Sequence, residues 1–318
     1  MIRHPEAERV VEWWFACQSA NGDSLFWHTT RQDTYLHVSP HSNHVSPRQQ
    51  RVRPTYIMNH SEKPIILIAH GAWQRPWHYR NLINRLRSKG YATLVPSLAT
   101  SGYDDALILN SYPDDVRRLH EVLLPYLSQG RKAVIVAHSY GGVPATHAVE
   151  THTVAERAAR GLQGGIVSVV YIASLPVLQK GISLYEAGGN QWLTLHFHDV
   201  DEFKLPLKRG PATDAFYNDL EESVKVEAAA ALCDQSRRPF EEAIRYTMQD
   251  VMVPKTYVIC KDDRVVPVQT QRLAALTGRA RKIELDCGHS PFLKERELDV
   301  LVDVISKAAG GSEARSIL

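Results

Sequence analysis

The sequence holds 318 residues, 44% of them hydrophobic and 23% charged, and its 37 Lys and Arg against 35 Asp and Glu leave a formal net charge of +2. That balance describes a globular chain with a sizeable core and excludes a disordered or collagen-like one. It offers no basic field to hold phosphate backbones, and no apolar run approaches the roughly 18 residues of a membrane helix, so neither nucleic acid nor a membrane is expected as a partner. Cys17, Cys233, Cys260 and Cys287 form no C-x-x-C pair and are expected as reduced thiols. With no signal-peptide pattern at the N-terminus, the expected compartment is the cytoplasm.

Residues 1–62 carry six of the 15 histidines, a near-repeat of His37-Val38-Ser39-Pro40 and His44-Val45-Ser46-Pro47, and a basic run at 48–53. The His spacings match no zinc pattern and no Cys accompanies them, so no metal is expected and the stretch reads as a polar N-terminal extension. Two readings of it stand. Residues 24–30 and 34–38 pair as a hairpin on the edge of the sheet, or Met58 opens the functional unit.

From residue 63 onward, β-branched runs alternate with helical ones. Strands are expected at 64–69, 92–95, 132–137, 166–173, 255–260 and 282–285. Helices are expected at 77–89, at 114–127 with Ser111 as a cap and a kink at Pro125, and at 141–160, 269–276 and 294–308. The alternation predicts an α/β fold, a mostly parallel sheet flanked by helices. Residues 174–253 break the rhythm, with helical segments at 219–231 and 238–249 and no buried strand. They are expected as a helical cap inserted above the strand ends, leaving 63–173 and 254–310 as the core and 311–318 as a tail.

Chemistry concentrates at the strand ends. Ala137-His138-Ser139-Tyr140-Gly141-Gly142 lies where the third strand meets a helix. A Ser on a strained strand-to-helix turn needs small residues two before and two after it, because the backbones there pass close; Ala137 and Gly141 meet that need, and Ser139 is the expected nucleophile. Its proton requires a base, and the base requires an acid to fix its tautomer. His289, in Asp286-Cys287-Gly288-His289-Ser290-Pro291 after the last strand, is the expected base, and Asp262 or Asp263 at the end of the fifth strand is the acid. In the loop His70-Gly71-Ala72-Trp73 after the first strand, the backbone N–H of Ala72 is expected to join that of Tyr140 as an oxyanion donor. One base suffices, so His70 is expected to brace its loop and His138 to pack beneath the turn.

These motifs, with Phe216-Tyr217-Asn218-Asp219 and Tyr257-Val258-Ile259-Cys260-Lys261-Asp262-Asp263-Arg264, resemble the α/β-hydrolase superfamily over residues 64–310. Within it they resemble the branch of small carboxylesterases, methyl-ester esterases and hydroxynitrile lyases. The resemblance implies a cofactor-free serine hydrolase that cleaves a small to medium, largely apolar carboxylic ester, or a lactone or thioester, through an acyl-enzyme. It favours Asp263 over Asp262, because the acid of this branch is usually the second of an acidic pair followed by a basic residue. It also makes the insertion a cap over an apolar pocket with Trp73, Trp192, Phe197 and Phe216 as lining, although such aromatics are as often plain core. A small-molecule receptor of the same fold is the alternative. A lyase is disfavoured, since the branch's lyases carry a Lys after the catalytic His and a Thr three residues before His-Gly, where this chain has Ser290 and Leu67.

Overall fold

The computed structural model describes residues 63–310 apart from 176, 177, 193 and 195. The expected hairpin at 24–38, Met58 and the tail at 311–318 lie outside the described residues. In chain order the elements are β1 (Ile65–Ala69), α1 (Arg80–Ser88, entered through a 3-10 turn at Pro76–Tyr79), β2 (Thr93–Leu94), β3 (Ser101–Gly102), α2 (Tyr112–Ser128), β4 (Lys132–His138), α3 (Gly142–Val149), α4 (Val154–Ala159) and β5 (Gly165–Ile172). After them come α5 (Leu184–Ala187), α6 (Arg209–Tyr217), α7 (Glu222–Ala230), β6 (Asp234–Gln235), α8 (Arg238–Glu241), β7 (Lys255–Cys260), α9 (Val268–Thr277), β8 (Arg281–Leu285) and α10 (Glu295–Gly310).

Six strands form one parallel sheet in the order β2-β1-β4-β5-β7-β8, and β3 and β6 pair as a separate antiparallel ribbon. All five residues of β1 are buried, as are six of the seven in β4. Such continuous apolar runs suit strands covered on both faces. Helix α10 packs on α1 and on β4 and β5, while α2 packs on α3 and on β1 and β4. The chain leaves β1 for β2 in one direction and returns to β4 on the other side. The loops after β1 and β4 therefore diverge at a topological switch point, where open α/β sheets leave a crevice.

Several sequence expectations need correcting. The helix expected over 141–160 is two helices, because Glu150 turns extended, Thr151 adopts a left-handed φ of 64°, and Thr153 starts α4 with a capping box to Glu156. The helix expected over 238–249 stops at Glu241, and that expected over 219–231 begins at Glu222. Helix α6 was not anticipated, and neither was the strand pairing of the insertion, in which Ser101 opposes Gln235 and Gly102 opposes Asp234. Helix α2 runs on through Pro125 to Ser128.

Candidate active site

Ser139 sits on the first residue after β4 with φ 52°, a left-handed conformation that a side chain adopts at a cost. Its neighbours explain how the turn closes. A Cβ on Gly141 would collide with the carbonyl oxygens of Ala69 and His70 at the end of β1, and one on Gly142 would collide with Ser174 Oγ. The carbonyl of Ser139 accepts from Leu175 N (3.0 Å) and Ser174 Oγ (2.9 Å), which tie the turn to the chain leaving β5.

The loops after β7 and β8 bring Asp263 to His289, with Asp263 Oδ2 2.9 Å from His289 Nδ1 and both side chains fully buried. Asp263 is saturated, since Oδ1 accepts from Val265 N (2.7 Å) and Val266 N (2.9 Å) and Oδ2 also accepts from Gln271 Nε2 (3.0 Å). The side chain of Asp262 is exposed, so of the two carboxylates only Asp263 reaches the imidazole. With Nδ1–H donated to Asp263, His289 presents Nε2 as a lone-pair acceptor, and this buried atom has no partner among the described residues.

Ala72 and Tyr140 are both buried, on the loops that follow β1 and β4. His70 and His138 are fully buried structural groups. His70 Nδ1–H donates to Gly71 O (2.9 Å) while Nε2 accepts from Leu98 N (2.9 Å), and burial lowers its pKa to about 4. His138 Nε2–H donates to His289 O (2.9 Å), and its Nδ1 lies 2.7 Å from Tyr79 Oη. Burial, and then the nearby His289, hold its pKa well below the usual imidazole range, so His138 supports the His289 backbone as a neutral ring.

The four expected lining aromatics come together, but unequally. The Trp73 ring lies 5.7 Å from Phe197 and 5.9 Å from Phe216, and Phe216 lies 5.6 Å from His289. Phe197 is completely buried, whereas Trp192 is half-buried and packs 6.2 Å from Phe240. Phe240 was missed in the sequence, yet it stacks on Tyr140 at 5.3 Å and contacts Trp73 at 6.2 Å. Its position four residues after Ser236, beyond a short strand, carried no periodic signal.

Asn218 and Asp219, just after α6, were singled out only as part of a motif. Asn218 Nδ2 donates to Asp262 O (3.0 Å), and Asp219 Oδ2 accepts from Gly288 N (2.8 Å) and Lys294 Nζ (2.7 Å). They grip the residue before Asp263 and the residue before His289.

A model of the alpha/beta hydrolase family matches residues 65–304. An alpha/beta hydrolase of Aspergillus novofumigatus, nvfD, is 27% identical over 263 residues, covering 78% of this chain and 97% of that protein. Methyl jasmonate esterase 1 of Vitis vinifera is 33% identical over 98 residues, 29% of this chain and 36% of its own. Among solved structures, polyneuridine aldehyde esterase superimposes with a TM-score of 0.63 at 18% identity, covering 77% of this chain and 99% of its own. Among the described residues no helix is long and apolar enough to cross a membrane. The family match runs from β1 into α10 and spans every loop that carries the site, so the chain belongs to the alpha/beta hydrolase family and is a hydrolase by that membership.

Proposed function

We propose that this protein is a serine hydrolase of carboxylic esters that works through an acyl-enzyme, with Ser139 as nucleophile, His289 as base and Asp263 as the acid that orients it. The observation that carries the reading is the arrangement of His289: its Nδ1 is held 2.9 Å from Asp263 Oδ2, while its buried Nε2 has no partner among the described residues and is left as a free acceptor, and Ser139 occupies a strained turn at the end of β4. His289 Nε2 takes the Ser139 proton as Oγ attacks the ester carbonyl carbon. The carbonyl oxygen becomes an oxyanion and accepts hydrogen bonds from the Ala72 and Tyr140 N–H groups. The C–O bond breaks, and the alcohol leaves with the proton returned by His289. Water then attacks the acyl-enzyme by the same path, releasing the acid and restoring the Ser139 hydroxyl.

The aromatic cluster of Trp73, Trp192, Phe216 and Phe240 favours a substrate with an apolar acyl or alcohol group, and residues 174–253 act as the cap that shapes its pocket. No cofactor or metal is needed for these steps. Ser139→Ala is expected to remove ester turnover and labelling by a serine-reactive fluorophosphonate while leaving the unfolding transition in place. Turnover within a few-fold of the parent would remove Ser139 from its assigned role.

A further inference from the structure

A polar chain that the catalytic steps do not use runs beneath the site. The ring of Tyr140 stacks on Phe240, and its Oη donates to Asp115 Oδ2 (2.6 Å) in the first turns of α2. Asp115 also accepts from Thr100 Oγ1 (2.8 Å) at Oδ2 and from Thr100 N (3.0 Å) at Oδ1. Thr100 O accepts from Ser236 N (2.8 Å), and Ser101 Oγ donates to Gln235 Oε1 (2.6 Å) across the β3–β6 ribbon. Gln235 Oε1 accepts in turn from Trp73 N (3.3 Å), the peptide that follows Ala72. The chain thus begins at one oxyanion donor, Tyr140, and ends beside the other, Ala72.

Asp115, Tyr140, Thr100, Gln235 and Ser236 are all completely inaccessible to solvent. No described residue forms an ion pair with Asp115; every group that faces it is a neutral donor. Burial, opposed by those hydrogen bonds, raises its pKa to about 7. A buried carboxylate of this kind is costly, and a carboxamide or an apolar pair of the same volume would fold at less expense. Its geometry offers a reason for its presence: a charge-assisted bond from Tyr140 is shorter and stiffer than a neutral one, and it fixes the far end of the side chain whose own backbone N–H faces the reacting oxygen.

We propose that Asp115 is a positioning residue for the oxyanion site, holding Tyr140 directly and holding the Ala72–Trp73 loop through Thr100, Ser101 and Gln235, so that the two backbone donors keep a fixed separation. The inference rests on the reading of Ser139 as a nucleophile stabilised by those donors. Loss of a whole oxyanion donor costs on the order of 10²–10³ in rate, so loosening one is expected to cost about tenfold.

The test compares the full-length parent with Tyr140→Phe, Asp115→Asn and the double variant. Two readouts are used: the rate constant for fluorophosphonate labelling of Ser139, and kcat and KM for short aryl esters. Both single variants are expected to label about tenfold more slowly, with kcat reduced and KM within about twofold of the parent, and the double variant is expected to be no slower than the worse single. A merely structural role would lower the melting temperature without this split between kcat and KM. If Asp115→Asn fails to fold, Tyr140→Phe carries the test alone, since it removes only one oxygen. Labelling and kcat within twofold of the parent in Tyr140→Phe would overturn the proposal, as would a change confined to KM. If the parent itself does not react with fluorophosphonate at Ser139, the serine-hydrolase reading fails first, and this inference falls with it.

Discussion

Replacing Asp263 by Asn tests the proposed mechanism at its most constrained point. The carboxylate has four donors aimed at it, two backbone N–H groups on Oδ1 and the Gln271 and His289 side chains on Oδ2. An Asn offers one acceptor and one NH₂. Its oxygen must remain on Val265 N and Val266 N, which cannot turn away, so the NH₂ faces Gln271 and His289. Gln271 is pinned as well, because its Oε1 accepts from Cys260 N (2.9 Å) and its Nε2 donates to Val266 O (2.7 Å). The imidazole is the only partner free to adapt, and it does so by moving its proton to Nε2. That tautomer points N–H at Ser139 and cannot take the hydroxyl proton. The expected loss is about 10⁴ in kcat, or roughly 5.5 kcal/mol of transition-state stabilisation, by the precedent of the serine-protease triad. The opposed Gln271 donor adds roughly 1–3 kcal/mol of destabilisation, which urea denaturation would register separately. Asp262→Asn should stay within about threefold of the parent, because the structure uses the backbone of that residue and leaves its side chain in solvent. The reasoning would be refuted by Asp263→Asn retaining more than about a tenth of kcat, or by a larger loss at Asp262.

Three other outcomes follow from named contacts. Because Asp115 has a pKa of about 7 in the fold against an ordinary 3.8, the folded chain holds this proton more tightly than the unfolded one. Its unfavourable contribution therefore develops as pH rises between those values, to about 4 kcal/mol, and urea midpoints measured from pH 4 to 8 should fall more steeply in the parent than in Asp115→Asn. Asp219→Ala leaves Gly288 N without its acceptor and Lys294 with only the longer contact to Glu297 (3.9 Å). It should cost roughly 1–3 kcal/mol and lower kcat with little change in KM, as aryl-ester kinetics would show. Gly141→Ala drives a methyl into the Ala69 and His70 carbonyl oxygens, which are fixed by the sheet, and thermal unfolding should report a loss of roughly 1–3 kcal/mol or more.

The sheet was legible in the sequence because its strands have no alternative use: a run such as Ile65-Ile66-Leu67-Ile68-Ala69 is too short for a helix and too apolar for a loop. The break after α3 is marked in the sequence by the Thr153-Val154-Ala155-Glu156 capping box, but helical periodicity on both sides of it masks the interruption. Residues 242–250 were not legible. Glu242 N still donates to Arg238 O, but beyond it the amides turn from carbonyls four residues back to other partners: Ile244 N donates to Ile182 O, the N–H groups of Arg245 and Tyr246 point at His147 Nε2, and Thr247 N donates to the Asp250 carboxylate. Helix α8 ends where these tertiary bonds begin. At the site, motifs singled out Ser139 and His289, whereas Asp262 and Asp263 are chemically identical neighbours. The resemblance favours Asp263, and the turn that aims its carboxylate at Val265 N and Val266 N, and so toward His289, is the physical reason that separates the two.

The segment 174–253 holds the chain beside each of these residues. At its start, Ser174 and Leu175 bond the carbonyl of Ser139; Asn218 bonds the carbonyl before Asp263; Asp219 bonds the amide before His289. Cys233 N donates to Trp73 O (2.9 Å) and Trp73 Nε1 donates to Leu205 O (2.7 Å), next to Ala72. The segment expected to select the substrate is therefore also the segment that ties down the chain around Ser139, Asp263 and His289. Under the proposed function, a change of pocket shape and a change of rate share one set of hydrogen bonds. A chimaera that imports the 174–253 segment of a relative without these donors and acceptors should lose kcat even toward that relative's own substrate, and restoring Asn218, Asp219 and Gln235 should recover rate before it recovers specificity.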